Sequence, residues 1–141
     1  MQEQQVTISR TYTFPAVPFG WDWVQDDRLV ALFDDAGDRY GSVIIGDQML
    51  QAAAVIAAHA IDWQAAIDAE AAQAPVIEGQ PVYVAIPLAL RRKGWAWKFG
   101  KFLCDLLHNG EVFGGVIYRD MTRQQVLENM ADLVSDAEVQ P

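Results

Sequence analysis

The sequence predicts an α+β domain in which a mainly antiparallel sheet of about five strands packs against three helices. Three observations lead to this prediction. Strand patterns fill residues 6–45 without an intervening helix, residues 47–73 carry the strongest helical signal, and shorter strand and helix patterns alternate after them. The predicted order is therefore β-β-β-α-β-α-β-α. Such an opening run of strands is not the pattern of a doubly wound parallel sheet.

The first strands are predicted from alternation and from turn residues. Residues 6–14 alternate apolar and hydroxyl side chains, which predicts one half-buried strand with Arg10 on its otherwise apolar face. Pro15 and Pro18 follow and are expected to end that strand. Residues 28–46 contain two apolar runs around Asp-Asp-Ala-Gly-Asp, which predicts a hairpin covered on both faces.

The alanine-rich segment 47–73 predicts a long helix that ends before Pro75. At about 100° per residue, its large apolar side chains form one stripe. That stripe consists of Met49, Ile56, Trp63 and Ile67. A helix with so little polar surface should be covered on more than one side, either within the chain or by a homodimer through helix 47–73.

The second half of the chain predicts a strand at 81–87, a helix at 95–108, a strand at 111–119 and a final helix. The helix at 95–108 is predicted because apolar residues from Phe99 to Leu107 recur at helical spacing, although Trp95, Trp97 and Phe99 also alternate as in a strand. The conformation of residues 94–99 therefore stays open.

The final helix has a capping-box signature at Thr122 and Gln125. The face expected to be buried consists of Val126, Leu127, Met130, Leu133 and Val134.

Length and composition bound the class of protein. A chain of 141 residues with 52% hydrophobic residues is expected to form one domain over 1–141, with frayed ends at about 1–5 and 137–141. The formal net charge of −9 argues against nucleic acid as a partner, because such binding depends on Lys and Arg. The single cysteine, Cys104, and an N-terminus without a secretion signal indicate a cytoplasmic protein. No apolar stretch is long enough to predict a membrane span.

Five of the ten Lys and Arg lie within residues 90–104, whereas residues 40–90 contain none. If a helix begins near Trp95, the cations at 91–93 stand at its N-terminus, where the helix dipole disfavours positive charge. A bound anion would relieve this mismatch. The candidate anion-binding residues are Arg91, Arg92, Lys93, Trp95 and Trp97, together with Arg10. The alternative is that acids of this same chain neutralise the basic segment.

No other pattern indicates a catalytic set, a metal site or a cofactor. Cys104 and His108 are too few for a metal centre, which needs three or four ligands. The expected function is therefore a non-catalytic binding or regulatory domain that acts on a protein partner or an anionic small ligand. An accessory protein of a mobile element, an immunity protein or an inhibitor would fit. The alternatives are a small enzyme with an aromatic-lined pocket for an anionic substrate, and a structural homo-oligomeric subunit.

Overall fold

The computed structural model describes all 141 residues. It divides into two compact units, Met1–Ile67 and Asp68–Pro141, and the boundary falls inside the first helix. The predicted α+β class is confirmed, with three helices and antiparallel strands. The single sheet of about five strands is not observed, because the strands form two three-stranded and two two-stranded sheets. The expectation of one domain stays a prediction.

The first unit contains two sheets. Its strands are β1 (Gln4–Thr7), β2 (Thr11–Phe14), β3 (Asp22–Asp26), β4 (Leu29–Phe33) and β5 (Arg39–Ile44). Strands β1 and β2 form one hairpin, and β3, β4 and β5 form an antiparallel sheet in that order. The predicted hairpin at 28–46 is therefore confirmed by the pairing of β4 with β5. The expectation that both of its strands are covered on both faces is wrong for β5, where Val43 is buried but Ile44 is 74% exposed.

The prediction of one strand over residues 6–14 is wrong. The chain turns at residues 8–10, where the Ile8 N–H donates to the Arg10 carbonyl at 2.9 Å. Val6 then lies opposite Tyr12 in the hairpin. The alternating pattern did not distinguish the two arrangements, because opposite residues of a hairpin share a face just as alternate residues of one strand do.

Helix α1 (Met49–Ala71) confirms the predicted long helix, but its core-facing residues differ from those expected. Its buried residues are Met49, Ala53, Ala57 and Ala60. Ile56 and Trp63 are only partly buried at the margin of the first unit's core. Alanine faces the core because a small side chain lets the helix axis approach its neighbours closely. Of the expected stripe, Met49 is buried as predicted, whereas Ile56 and Trp63 pack at the edge of that contact.

The second unit is built around one three-stranded sheet. Its elements are β6 (Val76–Ile77), β7 (Gln80–Pro81), α2 (Leu88–Arg92), β8 (Trp95–Phe99), β9 (Leu103–His108), β10 (Glu111–Ile117) and α3 (Arg123–Glu138). The sheet has the order β10-β9-β8 with antiparallel pairs. The strand expected at 111–119 is confirmed as β10, whereas the strand expected at 81–87 is wrong, because only Pro81 belongs to a strand.

The prediction of a helix over residues 95–108 is also wrong. Strands β8 and β9 occupy this segment, joined by a turn in which the Gly100 N–H donates to the Leu103 carbonyl at 2.8 Å. Burial alternates in both strands, with Trp95 and Trp97 buried in β8 and Cys104 and Leu106 buried in β9. Two alternating strands that meet at a tight turn can reproduce helical spacing across that turn, and this produced the error.

Helix α3 begins as its capping box predicts. The Thr122 hydroxyl accepts from the Gln125 N–H at 3.1 Å, and the Gln125 side chain accepts from the Thr122 N–H at 2.9 Å. Val126, Met130 and Val134 are buried as expected, whereas Leu127 and Leu133 are partly buried. The helix continues through Ala137, which is 1% exposed, into the region where a frayed tail was expected.

Candidate functional site

The basic residues 91–93 lie at the end of helix α2 and not at the start of a helix. Arg91 and Arg92 form its last turn, and Lys93 is its C-cap. Cations are favourable at this end of a helix, because the dipole is negative there. The charge mismatch that suggested an anion is therefore absent, since it depended on a helix beginning near Trp95.

Arg91 is bound to an acid of the same unit. Its Nη2 donates to Glu70 Oε1 at 2.6 Å and its Nη1 donates to Glu70 Oε2 at 2.8 Å. The Tyr83 hydroxyl donates to Glu70 Oε1 at 2.7 Å and accepts from Arg91 Nη2 at 2.8 Å. The Arg91 and Glu70 side chains are only 10% and 12% exposed. The carboxylate of Glu70 thus supplies the counter-charge that the sequence left unassigned.

The interactions within this cluster favour the charged form of Arg91 and the protonated form of the Tyr83 hydroxyl. Burial would lower the pKa of Arg91, but the hydrogen bond to Glu70 and the neighbouring Tyr83 hold that pKa above its ordinary value. Burial and the hydrogen bond to Glu70 raise the pKa of Tyr83. Glu70 Oε2 also accepts from the Trp97 backbone N–H at 3.3 Å, so the cluster ties helix ends to strand β8.

The two tryptophans of the candidate anion site belong to the core. Trp95 is 3% exposed and stacks on the His108 ring at 4.3 Å. Trp97 is 5% exposed, and its indole N–H donates to the Val84 carbonyl at 2.8 Å. Within the second unit, only Arg92 and Lys93 of the candidate anion-binding residues are exposed.

Arg10 belongs to the first unit, unlike the other candidate residues. It lies in the turn between β1 and β2, is exposed, and its Nε donates to the Tyr12 hydroxyl at 3.0 Å. A groove of about 470 Å³ in this unit is bordered by Trp21 and by N-terminal residues, but neither Arg10 nor Tyr12 lines it. Arg10 therefore does not join an aromatic pocket in its own unit.

The structure draws attention to a surface that the sequence analysis missed. One face of the β8–β10 sheet packs in the core through Trp97, Cys104, Leu106 and Val116. The opposite face carries an apolar group that we call the outer-face patch. It consists of Leu103, Leu107, Val112 and Ile117. Assignment of residues 95–108 to two strands would have predicted this apolar outer face.

The outer-face patch consists of two cross-strand pairs, and Asp105 opposite Gly115 lies between them on the same face. Leu103 lies opposite Ile117, and Leu107 lies opposite Val112. Leu103, Val112 and Ile117 are 42%, 64% and 58% exposed, respectively. Cross-strand neighbours of this kind have Cβ atoms about 4.5–5.5 Å apart, so their exposed surfaces merge.

Strand β10 is the margin of this sheet, with no strand on its other side. A groove of about 320 Å³ runs between this margin and helix α3. Its lining comprises Gly115, Val116, Ile117, Met121, Asn129, Asp132, Leu133 and Asp136. The groove and the outer-face patch share Ile117.

Comparisons with protein-family descriptions, with curated proteins and with solved structures found no match for this chain. None of the three helices combines the length and the apolar character needed to cross a membrane. No group of three or more His, Cys, Asp or Glu is arranged to hold a metal ion.

Proposed function

We propose that this chain is a non-catalytic protein-binding domain of regulatory type, whose second unit binds its partner on the outer-face patch. The observation that carries this proposal is the exposure of Leu103, Val112 and Ile117 on one sheet face. Apolar side chains exposed side by side on neighbouring strands cost solubility, and exposed apolar patches in natural proteins mark interaction sites. Full burial of such a side chain contributes about 1.5–3 kcal/mol, and covering the roughly half of each that is exposed contributes a corresponding part of it.

Charge narrows the class of partner. The net charge of −9 repels acidic proteins and attracts basic ones at long range. The outer face itself is balanced, because Lys98 lies opposite Asp105. We therefore propose a basic protein partner, steered by the whole chain and held by the apolar patch. A cytoplasmic location and a role as an accessory, immunity or inhibitor protein belong to the same proposal.

Site-specific photo-crosslinking in the native host tests this function. A photoreactive amino acid replaces Val112 in one variant and Ile44, a strand residue of the first unit that is 74% exposed, in the control. We expect a discrete adduct with one protein at position 112 and none at position 44. The double variant Leu103→Ser/Val112→Ser should then weaken binding of that purified protein by about tenfold or more. No adduct at 112, or equal adducts at both positions, would contradict the proposal.

An anion site is the second candidate, and the exposure of Arg92 and Lys93 supports it. Arg91 is excluded from that site, because Glu70 already binds both of its terminal nitrogens. A thermal-shift screen with phosphates, nucleotides and organic acids tests it. Stabilisation of the wild type that is lost in Arg92→Glu/Lys93→Glu is the expected result, and an equal shift in both proteins would contradict it.

A homodimer through helix 47–73 would use the exposed side of α1. Leu50 and Val55 are 40% and 59% exposed, whereas the alanines at 53, 57 and 60 are already buried in the first unit. Light scattering over a range of concentrations tests this alternative, and Val55→Ser should shift the protein toward the monomer. Nothing comparable supports an aromatic-lined enzyme pocket, since the indole N–H groups of Trp21, Trp23 and Trp97 all donate within their own units.

A further inference from the structure

We infer that the open margin of β10 binds an extended, basic segment of the partner as an additional strand. The segment lies in the groove between β10 and α3 and alternates Lys or Arg with apolar residues. This inference rests on the proposed protein-binding function, and it names both the mode of binding and the chemistry of the partner.

The backbone of β10 is oriented for such pairing. The Tyr118 N–H donates to the Phe102 carbonyl at 3.0 Å, on the side of β9. Hydrogen-bonding direction alternates along an antiparallel strand, so Gly115 and Ile117 direct their N–H and C=O groups away from β9. No strand pairs with β10 on that side. An exposed row of unpaired donors and acceptors is a template for strand addition.

Two adjacent glycines, Gly114 and Gly115, lie where β10 meets the groove. A Cβ at Gly114 would lie 2.6 Å from Leu133, so glycine at this position lets α3 pack close to the strand. Gly115 is exposed and carries no side chain at the margin, which leaves its backbone accessible. An incoming strand can therefore reach the β10 backbone while α3 contacts one of its faces.

The negative charge of the groove lies on helix α3. Asn129, Asp132 and Asp136 face the groove one turn apart, and both aspartates are exposed without an ion pair. Their separation along the helix is about 6 Å, from a rise of 1.5 Å per residue. Alternate residues of a strand are about 6.7 Å apart, so basic residues at i and i+2 match the two carboxylates.

The other face of an added strand would continue the outer-face patch. Side chains alternate between the two faces of a strand, so residues between the basic ones point to the side of Val112 and Ile117. Apolar residues there would bury part of that exposed surface. A single segment with alternating basic and apolar residues would thus pair with the β10 backbone, bind the two carboxylates and bury part of the outer-face patch.

A blocked eight-residue peptide that alternates lysine with valine is the probe. We expect it to bind the full chain in fluorescence anisotropy, and we expect the Gly115 and Ile117 amides to become protected from hydrogen exchange. A peptide with glutamate in place of every lysine is the charge control. It should bind at least about tenfold more weakly, because it faces two carboxylates at close range.

Matched variants separate the backbone contact from the side-chain contact. Ile117→Pro removes an outward N–H, which a margin strand tolerates, and should weaken peptide binding about tenfold relative to Ile117→Ala. Asp132→Asn/Asp136→Asn should weaken it about three- to tenfold and reduce its salt dependence. If Ile117→Pro does not fold, a lysine–valine peptide N-methylated at alternate residues makes the same test on the wild type, and it should not bind.

The outcomes distinguish this inference from the function on which it rests. A crosslink at position 112 without peptide binding, or with protection at amides away from β10, overturns strand addition and leaves the protein-binding proposal standing. Protection of Gly115 and Ile117 in a concentration-dependent dimer without peptide also overturns it, because a second copy then occupies the margin. Failure of both the crosslink and the peptide overturns both proposals.

Discussion

Arg91 and Glu70 form a bidentate ion pair in which both terminal nitrogens of the guanidinium donate to the two carboxylate oxygens, at 2.6 and 2.8 Å. The two residues are 21 positions apart in the chain and join the last turn of α1 to the end of α2 within the second unit. Tyr83 and the Trp97 backbone N–H complete the partners of the carboxylate. A buried pair of this kind fixes the relative position of the elements that carry it.

Replacement of Glu70 by glutamine should destabilise the chain strongly. Removal of one partner of a buried pair leaves the other charge uncompensated, at a cost of about 3–5 kcal/mol. Because about a tenth of each side chain stays exposed, we expect a loss of about 2–3 kcal/mol in the free energy of unfolding, measured by urea denaturation.

The Arg39–Asp26 pair is the matched control for this experiment. Its side chains are 43% and 63% exposed at a similar distance of 2.8 Å. Asp26→Asn should change the free energy of unfolding by less than about 1 kcal/mol. Equal effects of Glu70→Gln and Asp26→Asn would show that the Glu70 cluster does not stabilise the second unit.

Two tyrosines should resist ionisation in the folded protein. Burial raises the pKa of Tyr83, helped by Glu70, and burial raises the pKa of Tyr118, helped by the neighbouring Cys104 thiol. In unfolded chains the pKa of tyrosine is about 10. Absorbance titration should therefore show that Tyr83 and Tyr118 ionise only when the chain unfolds in alkali.

The raised pKa values of Tyr83 and Tyr118 determine how the stability of the fold changes with pH. A raised folded-state pKa leaves stability unchanged below about pH 10, and above that value only the unfolded chain releases the proton. The free energy of unfolding should then fall by about 1.4 kcal/mol per pH unit for each such tyrosine. Tyr83→Phe should make this fall less steep, and an unchanged slope would contradict the role of burial.

Cys104 should be inert toward thiol reagents in the folded state. Its side chain is fully buried, and burial raises the pKa of the thiol, so little of the reactive thiolate is present or accessible at neutral pH. Ellman's reagent should react at the rate of unfolding and give one thiol per chain in denaturant. Rapid reaction of the native protein at a rate proportional to reagent concentration would show that β9 opens locally.

Local signals explain which parts of the fold were predictable. The hairpin at 28–46, helix α1 and the capping box of α3 depend on neighbouring residues, and all three were predicted correctly. Residues 95–108 satisfied two periodicities at once, and only the pairing of Trp97 with Leu106 decides between them. No local pattern distinguishes a hairpin from a helix when the turn itself continues the apolar spacing.

The candidate site was harder to predict than the fold, because it depends on contacts between residues that are far apart in the chain. The partner of Arg91 is an acid on another element, and the sequence carries no sign of that pairing. The outer-face patch depends on strand register, because a shift by one residue would exchange its members with the core residues of β9 and β10. The proposal of a basic partner needs no register or contact, since it depends only on the net charge of −9.

Gly94 should be the least replaceable of the glycines with positive φ. Its φ is +91°, and a Cβ at this position would lie 1.9 Å from Asn109 Oδ1. Gly110 has a φ of +85° with nothing near its Cβ position, so it provides the matched control. Gly110→Ala should cost only the strain of the left-handed conformation, about 1–2 kcal/mol. Gly94→Ala should cost about 1–3 kcal/mol more, because the Asn109 side chain must move.

A double-mutant cycle identifies the origin of that extra cost. In an Asn109→Ala background the clashing side chain is gone, so Gly94→Ala should then cost about as much as Gly110→Ala in urea denaturation. The backbone bond from the Asn109 N–H to the Gly94 carbonyl, 2.9 Å long, remains in every variant. If the extra cost persisted without the asparagine side chain, the turn itself, and not the contact with Asn109, would require glycine at position 94.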